Sequence, residues 1–337
     1  MPTIKEVSQR AHVSPSTVSR VLNGTTPVSP DARERVLRAI EELDYTPNAF
    51  ARGLATNRSG GIGVTTNDIG SPYYAVMLRG VEAAIEDAGL HLMVSSGHAR
   101  AGSERSAIQF LKQRRSDALI VQAEALSDGE LIELAAEADV PVVVFGRRIP
   151  ELDPVCVDLD NEAGGRMATQ HLLEHGHRRI GHIAGPLRFP DARERLQGYR
   201  AALDAAGIAY DDHLVVEGDF REGGGRAAME RLLDRGGDLD AVFVANDQMA
   251  AGAMRAARDR GLEIPTDLSL VGYDDVLLAQ YLSPALTTVR QPLFDMGRAA
   301  AEIAIALLEQ RKVEVTTRFE PELVVRESVA PVATRPA

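Results

Sequence analysis

From Ile62 onward the chain alternates short apolar runs with longer amphipathic ones, and no other feature restricts its fold as much. Runs at Ile62–Val64, His91–Val94, Ala118–Val121, Val142–Phe145, Ile180–Ala184, Leu214–Glu217, Ala241–Ala245 and Leu268–Tyr273 read as strands. Helical patterns fill residues 73–88, 103–114, 128–138, 161–174, 193–206, 223–234 and 247–260. Strands that are apolar on both faces, set between amphipathic helices, belong to parallel sheets covered on both sides. The rhythm pauses between Phe145 and Asn161 and then resumes. Two Rossmann-like subdomains are therefore expected, with a cleft at the carboxyl ends of their strands. No glycine-rich dinucleotide or phosphate loop stands in its required strand–helix setting. Gly223-Gly224-Gly225 comes after a strand but lacks the spacing and the subsequent Lys-Ser/Thr, so it reads as a turn and helix start.

The first 60 residues obey a different rule. Thr3-Ile4-Lys5-Glu6 has capping-box spacing and starts a helix at Ile4, with Ile4, Val7 and Ala11 on one face. Ser14 caps and Pro15 opens a second helix, whose Val18, Val21 and Leu22 point inward and which Asn23-Gly24 closes. The three or so residues around His12 and Val13 give the pair helix-turn-helix spacing. Ser29-Pro30 repeats the device for a third helix running to about Leu43, with Val36, Leu37, Ile40 and Leu43 inward. The outer face of the second helix presents Ser16, Thr17, Ser19 and Arg20. A guanidinium there can bond guanine O6 and N7 together, and the hydroxyls can meet phosphates or base edges. A small three-helix bundle with a solvated polar face is the plainer alternative.

Residues 47–61 argue against the plainer alternative. Pro47 forces a break, Asn48 can cap, and residues 49–55 make two helical turns, too short to hold alone and weakened further by Gly53. A linker composition succeeds them at 56–61. Such a segment, bearing an unsupported Leu54, is expected to fold on a partner. Residues 1–60 carry eight Lys/Arg against six Asp/Glu in a chain whose net charge is −12. A mildly basic head on an acidic body fits a local DNA-binding module and excludes non-specific nucleic-acid binding by the whole molecule.

The runs Thr-Ile-Lys-Glu-Val-Ser-Gln-Arg-Ala-His-Val-Ser-Pro-Ser-Thr-Val-Ser-Arg-Val-Leu-Asn-Gly (3–24) and Tyr-Thr-Pro-Asn-Ala-Phe-Ala-Arg-Gly-Leu (45–54) resemble the headpiece of the LacI family of transcriptional regulators. The likeness continues in residues 171–185, 242–247, 271–275 and 286–292, and reaches about Val329. It implies an all-α helix-turn-helix headpiece plus an α/β periplasmic-binding-protein-like body of two Rossmann-like subdomains. The implied division is residues 1–46 for DNA binding, 47–60 for a hinge helix and linker, 61–330 for ligand binding and dimerisation, and 331–337 for a tail. By the same resemblance Pro15, Ser16 and Arg20 lie where bases are read, and Thr17, Tyr45 and Asn48 meet phosphates. Leu54 matches the residue that wedges into the minor groove at the operator centre. Pro15 has no polar side chain, and Ala55 stands where some members have lysine, so base reading falls to Arg20 and Ser16.

Ligand-binding candidates sit just past strand ends. Asn246, Asp247 and Asp274 supply the amide and carboxylates that vicinal hydroxyls need, although Asp247 could instead cap its helix. Arg147 comes after Phe145-Gly146, and Gln291 lies on a crossover. Tyr73, Tyr74 and Phe220 could offer stacking surfaces. Arg195 matches a family arginine that clamps ligand hydroxyls or carboxylates. Phe189, Pro190 and Asp191 occupy a loop where purine-binding members carry polar ligand residues, which points away from a purine.

No metal or cofactor is expected. His171, His175, His177 and His182 close a helix and enter a strand without a convergent carboxylate set. One cysteine, Cys156, allows no internal disulfide and suits a reducing compartment. No run approaches the roughly 18 apolar residues of a membrane span, and the N-terminus lacks a secretory signal's charged start and apolar core. The expected protein is a cytoplasmic, non-enzymatic repressor: a homodimer on a pseudo-palindromic operator, released by a sugar-like effector, with no membrane partner. A nucleobase corepressor and a sugar-binding protein without regulatory role are the alternatives. No leucine-heptad tail extends past Val329, so tetramerisation through such a tail is not expected.

Overall fold

The computed structural model describes residues 2–23, 27–45, 59–235 and 239–332. The chain divides into two compact units, residues 1–59 and 60–337.

The first unit contains helices α1 (Ile4–Arg10), α2 (Pro15–Asn23) and α3 (Pro30–Glu42). Each starts where its local chemistry requires. Glu6 N–H donates to Thr3 Oγ1 at 3.3 Å while Thr3 N–H donates to Glu6 Oε2 at 2.7 Å, closing the capping box. Thr17 N–H donates to Ser14 Oγ at 3.2 Å, and Ala32 N–H to Ser29 Oγ at 3.4 Å. His12 turns the chain between α1 and α2 with a φ of 53°. Val7, Ala11, Val18, Val36 and Ala39 form the buried core, and each fully buried valine contributes roughly 1.5–3 kcal/mol. One inward expectation is overturned: Leu37 is 51% exposed. It lies about 100° round the helix from Val36, and the face carrying Val36, Ala39 and Ile40 already fills the small core. Asn48 and Leu54 lie outside the described residues.

The second unit holds two six-stranded sheets. The first contains β1 (Gly61–Thr66), β2 (His91–Ser96), β3 (Ala118–Val121), β4 (Val142–Phe145) and β5 (Cys156–Leu159), with α4 (Pro72–Asp87), α5 (Ala101–Gln113) and α6 (Asp128–Glu137) between them. The second contains β6 (Ile180–Ala184), β7 (Val215–Glu217), β8 (Ala241–Val244), β9 (Ser269–Asp274) and β10 (Thr287–Arg290). Helices α7 (Asn161–Glu174), α8 (Pro190–Ala205), α9 (Glu222–Asp234), α10 (Asp247–Asp259) and α11 (Leu277–Tyr281) belong to this part of the chain, and α12 (Leu293–Leu308) comes after β10. Two short strands finish the fold, β11 (Arg318–Phe319) on the first sheet and β12 (Glu322–Val324) on the second. The strand orders are β11-β5-β4-β3-β1-β2 and β12-β10-β9-β8-β6-β7. Every pairing is parallel except β10 with β12. Four strands and two helices were absent from the sequence rhythm: β5, β10, β11, β12, α11 and α12.

The chain passes between the two sheets three times: after β5, after β10 and between β11 and β12. Helix α12 leaves the second sheet and packs along α4 of the first, which makes Gln291 a crossover residue as expected. Crossing segments are tied by ion pairs, Arg318 to Asp160 at 2.8 Å and Arg290 to Glu322 at 3.0 Å. Helices α7 and α8 approach closely because each presents a glycine, Gly165 or Gly198, to the other's backbone. A Cβ at Gly165 would collide with the Arg195 carbonyl, and one at Gly198 with the Glu162 carbonyl. Arg195 therefore owes its position to a glycine 30 residues earlier. None of the described helices is long and apolar enough to cross a membrane.

Candidate ligand cleft and nucleic-acid interface

The carboxyl ends of both sheets open onto one cavity of about 150 Å³. The first sheet contributes Asn67, Asp68 and Ser71 after β1, Tyr73 and Tyr74 on α4, His98 after β2, and Gln122 and Glu124 after β3. The second contributes Phe189, Asp191 and Arg195 around the start of α8, with Asp219, Phe220 and Arg221 after β7. Asn246 and Gln248 come after β8, and Asp274 ends β9.

Arg195 is the most constrained of these groups. It is 3% exposed. Its Nε donates to Asn161 Oδ1 at 3.0 Å and its Nη1 to the Ala245 carbonyl at 2.6 Å. The guanidinium carbon lies 3.9 Å from the centre of the Tyr273 ring and 5.9 Å from that of Phe220. Two carboxylates flank it, Asp191 at 3.4 Å and Asp274 at 3.8 Å. Burial works against its charge, but Asp191, Tyr273 and Asp274 outweigh burial and hold its pKa above the ordinary value.

Asp274 sits in the left-handed region with a φ of 108°, which a side chain adopts only when its surroundings impose it. Gln291 Nε2 donates to its Oδ1 at 2.6 Å. Burial pushes its pKa up to about 7 against the opposing pull of Arg195 and Gln291. Across the cleft Tyr74 OH donates to Gln122 Oε1 at 3.1 Å, and Gln122 Nε2 donates to Glu124 Oε1 at 2.5 Å. Glu124 is pushed up to about 8, by burial first and then by the like charge of Asp191. Phe189 and Phe220 stack with centroids 6.4 Å apart and planes 10° apart. Two polar contacts bridge the subdomains: Ser71 Oγ donates to Gln248 Oε1 at 2.9 Å, and Arg221 pairs with Asp68 at 2.7 Å.

Of the expected ligand residues, Tyr73, Tyr74, Arg195, Phe220, Asn246 and Asp274 line the cavity. Three do not, and each is occupied elsewhere. Arg147 turns away to hold the β3–α6 loop, through the Ala123 carbonyl, the Leu126 carbonyl at 3.0 Å and Asp128 at 2.9 Å. Asp247 is fully buried and accepts from Thr288 Oγ1 at 2.6 Å and Val276 N–H at 2.9 Å. It does not cap α10; Asn246 does, accepting from Met249 N–H at 2.9 Å. Gln291 reaches the site only through Asp274. Sequence reasoning missed Asn67, Asp68, His98, Gln122, Glu124, Asp219, Arg221 and Gln248. The strand-end rule, applied as fully to the first half as to the second, would have found Asn67, Gln122 and Glu124. Two of the clustered histidines meet backbone carbonyls: His182 Nδ1 lies 3.0 Å from that of Phe243 and His177 Nε2 3.0 Å from that of Ala330.

In the first unit Ser16 and Arg20 are exposed on α2, and Thr17 and Ser19 are half-buried. Ser14 Oγ lies 2.7 Å from Ser16 Oγ and 2.9 Å from Thr17 Oγ1, which orients both hydroxyls at the start of the helix. Arg10, Arg35 and Arg38 are paired with Glu42, Asp31 and Glu34. Arg20 has no ion-pair partner among the described residues. Tyr45 is half-buried against the head core.

Comparison with known proteins adds to this geometry. Residues 3–48 match the model for bacterial regulatory proteins of the lacI family, and residues 169–329 match that for a periplasmic binding protein-like domain. The chain is 41% identical over 331 residues to the HTH-type transcriptional regulator GalR of Escherichia coli, covering 98% of this chain and 96% of that protein. Among solved structures it matches the lac repressor dimer bound to operator and the anti-inducer ONPF, with a TM-score of 0.88 at 31% identity, over 98% of this chain and 99% of that one. It also matches the complex of the transcriptional regulator CelR with cellobiose, with a TM-score of 0.72 at 38% identity, over 97% of this chain and 100% of that one.

Proposed function

The chain belongs to the lacI family of bacterial regulatory proteins, and from that premise we propose that it is a repressor released from its operator by a small sugar seated in the cleft. The observation that carries the sugar reading is the lining itself. Carboxylates and amides converge from both subdomains, and Tyr73, Phe189 and Phe220 stand beside them. Carboxylates and amides bond vicinal hydroxyls, while aromatic faces take the apolar side of a sugar ring. A ligand held by both subdomains favours one angle between them, and differential affinity for two states is all that allosteric control requires. The cellobiose in the complex of the related regulator CelR supports the same class of effector.

On the DNA side, Arg20 and Ser16 read bases and Thr17, Ser19, Tyr45 and Asn48 position the backbone. Leu54, in a hinge spanning residues 47–60, wedges at the operator centre. Two copies bind a pseudo-palindromic site, because a two-fold protein reads a two-fold sequence. The protein acts in the cytoplasm and returns its effector unchanged.

A thermal-shift screen of sugars and nucleobases, then a gel shift on the operator, tests the proposal. A ligand that binds only the folded state raises the melting temperature. Sugars should stabilise the protein and release DNA. Stabilisation by a purine that tightens DNA binding, or consumption of the sugar, would overturn it.

A further inference from the structure

We infer that the cleft excludes anions: its ligand carries neither phosphate nor carboxylate, and Glu124 with Asp191 is the pair that rejects phosphorylated and acidic sugars. The inference rests on the sugar reading and narrows it. Five carboxylates line the cavity (Asp68, Glu124, Asp191, Asp219 and Asp274) against two guanidiniums. Both guanidiniums are already engaged. Arg221 pairs with Asp68 at 2.7 Å, and Arg195 is shared between Asp191 and Asp274 while it also donates to Asn161 and Ala245. His98, also in the wall, lies 3.4 Å from Ser96 Oγ. An incoming phosphate would therefore meet Glu124 and Asp219, which have no ion-pair partner among the described residues, and would compete with carboxylates for both guanidiniums.

The backbone is depleted of anion donors at three of the helix starts beside the cleft. Anions are commonly held by free N–H groups at helix starts, and α4, α8, α9 and α10 all begin beside this cleft. Helix α4 starts with Pro72 and α8 with Pro190, neither of which has an N–H. At α8 the Asp191 carboxylate itself takes the Ala192 N–H at 2.7 Å. At α10 Asn246 takes the Met249 N–H. A hydroxyl of a bound sugar, by contrast, donates a proton to a carboxylate without bringing charge. Glu124 and Asp191 line the same cavity from opposite subdomains, so a polyol can donate to both carboxylates where a phosphate would add a further negative charge.

Titration calorimetry of the full-length protein at pH 8 tests this, with D-glucose, D-galactose and cellobiose against glucose 6-phosphate, galactose 6-phosphate and glucuronate. At least one neutral sugar should bind, and every charged sugar should bind at least tenfold more weakly. A charged sugar binding within tenfold of the best neutral one overturns the inference and leaves the regulator reading standing. Silence from all six overturns the sugar reading together with this one. The double variant Glu124→Gln/Asp191→Asn should bring the phosphates closer to their parent sugars by tenfold or more. Asp219→Asn, at the exposed edge of the cavity, should move them the same way by a smaller factor. If both variants fold with unchanged circular dichroism and neither narrows the gap, the assignment of the rejection to these carboxylates falls.

Discussion

Replacing Arg195 with methionine should cost the protein about 4 kcal/mol at pH 8. The side chain is buried, so its removal is felt in full. Deleting one partner of a buried charge pair costs about 3–5 kcal/mol, because the remaining charge is left uncompensated. Here two carboxylates remain, Asp191 and Asp274. The Ala245 carbonyl loses its 2.6 Å donor, and Asn161 Oδ1 keeps Tyr273 OH at 3.3 Å in place of two donors. The stacking on Tyr273 adds about 1–2 kcal/mol when desolvated. These contributions share atoms and do not add, so about 4 kcal/mol, nearly a thousandfold in the folding constant, is the working figure. The loss must also depend on pH. Asp274 already titrates near 7 because of burial, with Arg195 pulling it down; without the guanidinium it rises further. An acid whose folded pKa lies above its unfolded one loses stability as pH rises from the unfolded value, near 3.8, through the folded one. The deficit should therefore be smallest near pH 5 and largest at pH 8. The chain has no tryptophan, so urea unfolding monitored by far-ultraviolet circular dichroism is the assay. A deficit below about 1 kcal/mol at pH 8, or one that is larger at pH 5 than at pH 8, refutes the reasoning.

Gly165→Ala should destabilise the protein by about 1–3 kcal/mol through overpacking of α7 on α8, and should weaken sugar binding because the backbone it displaces is that of Arg195. A normal calorimetric affinity in a variant with a lowered melting temperature would separate the two effects and count against the positional argument. Arg20→Ala should cost about 1–3 kcal/mol at one operator base and relax specificity there; equal loss on every sequence in a gel-shift series would reduce Arg20 to a phosphate contact. Burial holds His182 down to about 4 from an ordinary 6.5, so it contributes stability above pH 6.5 that is lost as pH falls through 4. His182→Phe should flatten that acid limb by up to about 3 kcal/mol, and an unchanged limb would place the acid sensitivity elsewhere.

How legible each feature was in the sequence depends on the range over which its signal acts. Capping is decided within four residues, so Thr3 with Glu6 and Ser14 with Pro15 announced helices that begin where expected. Strands Ala118–Val121 and Val142–Phe145 were legible residue for residue because parallel strands buried on both faces are unbroken apolar runs. Strand β5, Cys156–Leu159, carries Asp158 in its middle, and β11 and β12 are two and three residues of mixed polarity. They hold their places by pairing with strands already formed, which no local pattern records. The same distinction divides the site. A strand end tells where the backbone leaves the sheet but not which way the side chain turns. Arg147, Asp247 and Gln291 stand at such ends and turn inward, because their partners lie far off in sequence: Thr288 is 41 residues from Asp247, and Asp274 is 17 from Gln291. Their role is thereby set by those partners. Gln291 fixes Asp274, Arg147 fixes the loop that presents Glu124, and Asp247 ties the start of α10 to β10, which leads into a crossing between the subdomains. Residues of this second kind should govern how ligand binding is transmitted, since a group that touches the sugar can report it only through the neighbours that hold that group in place.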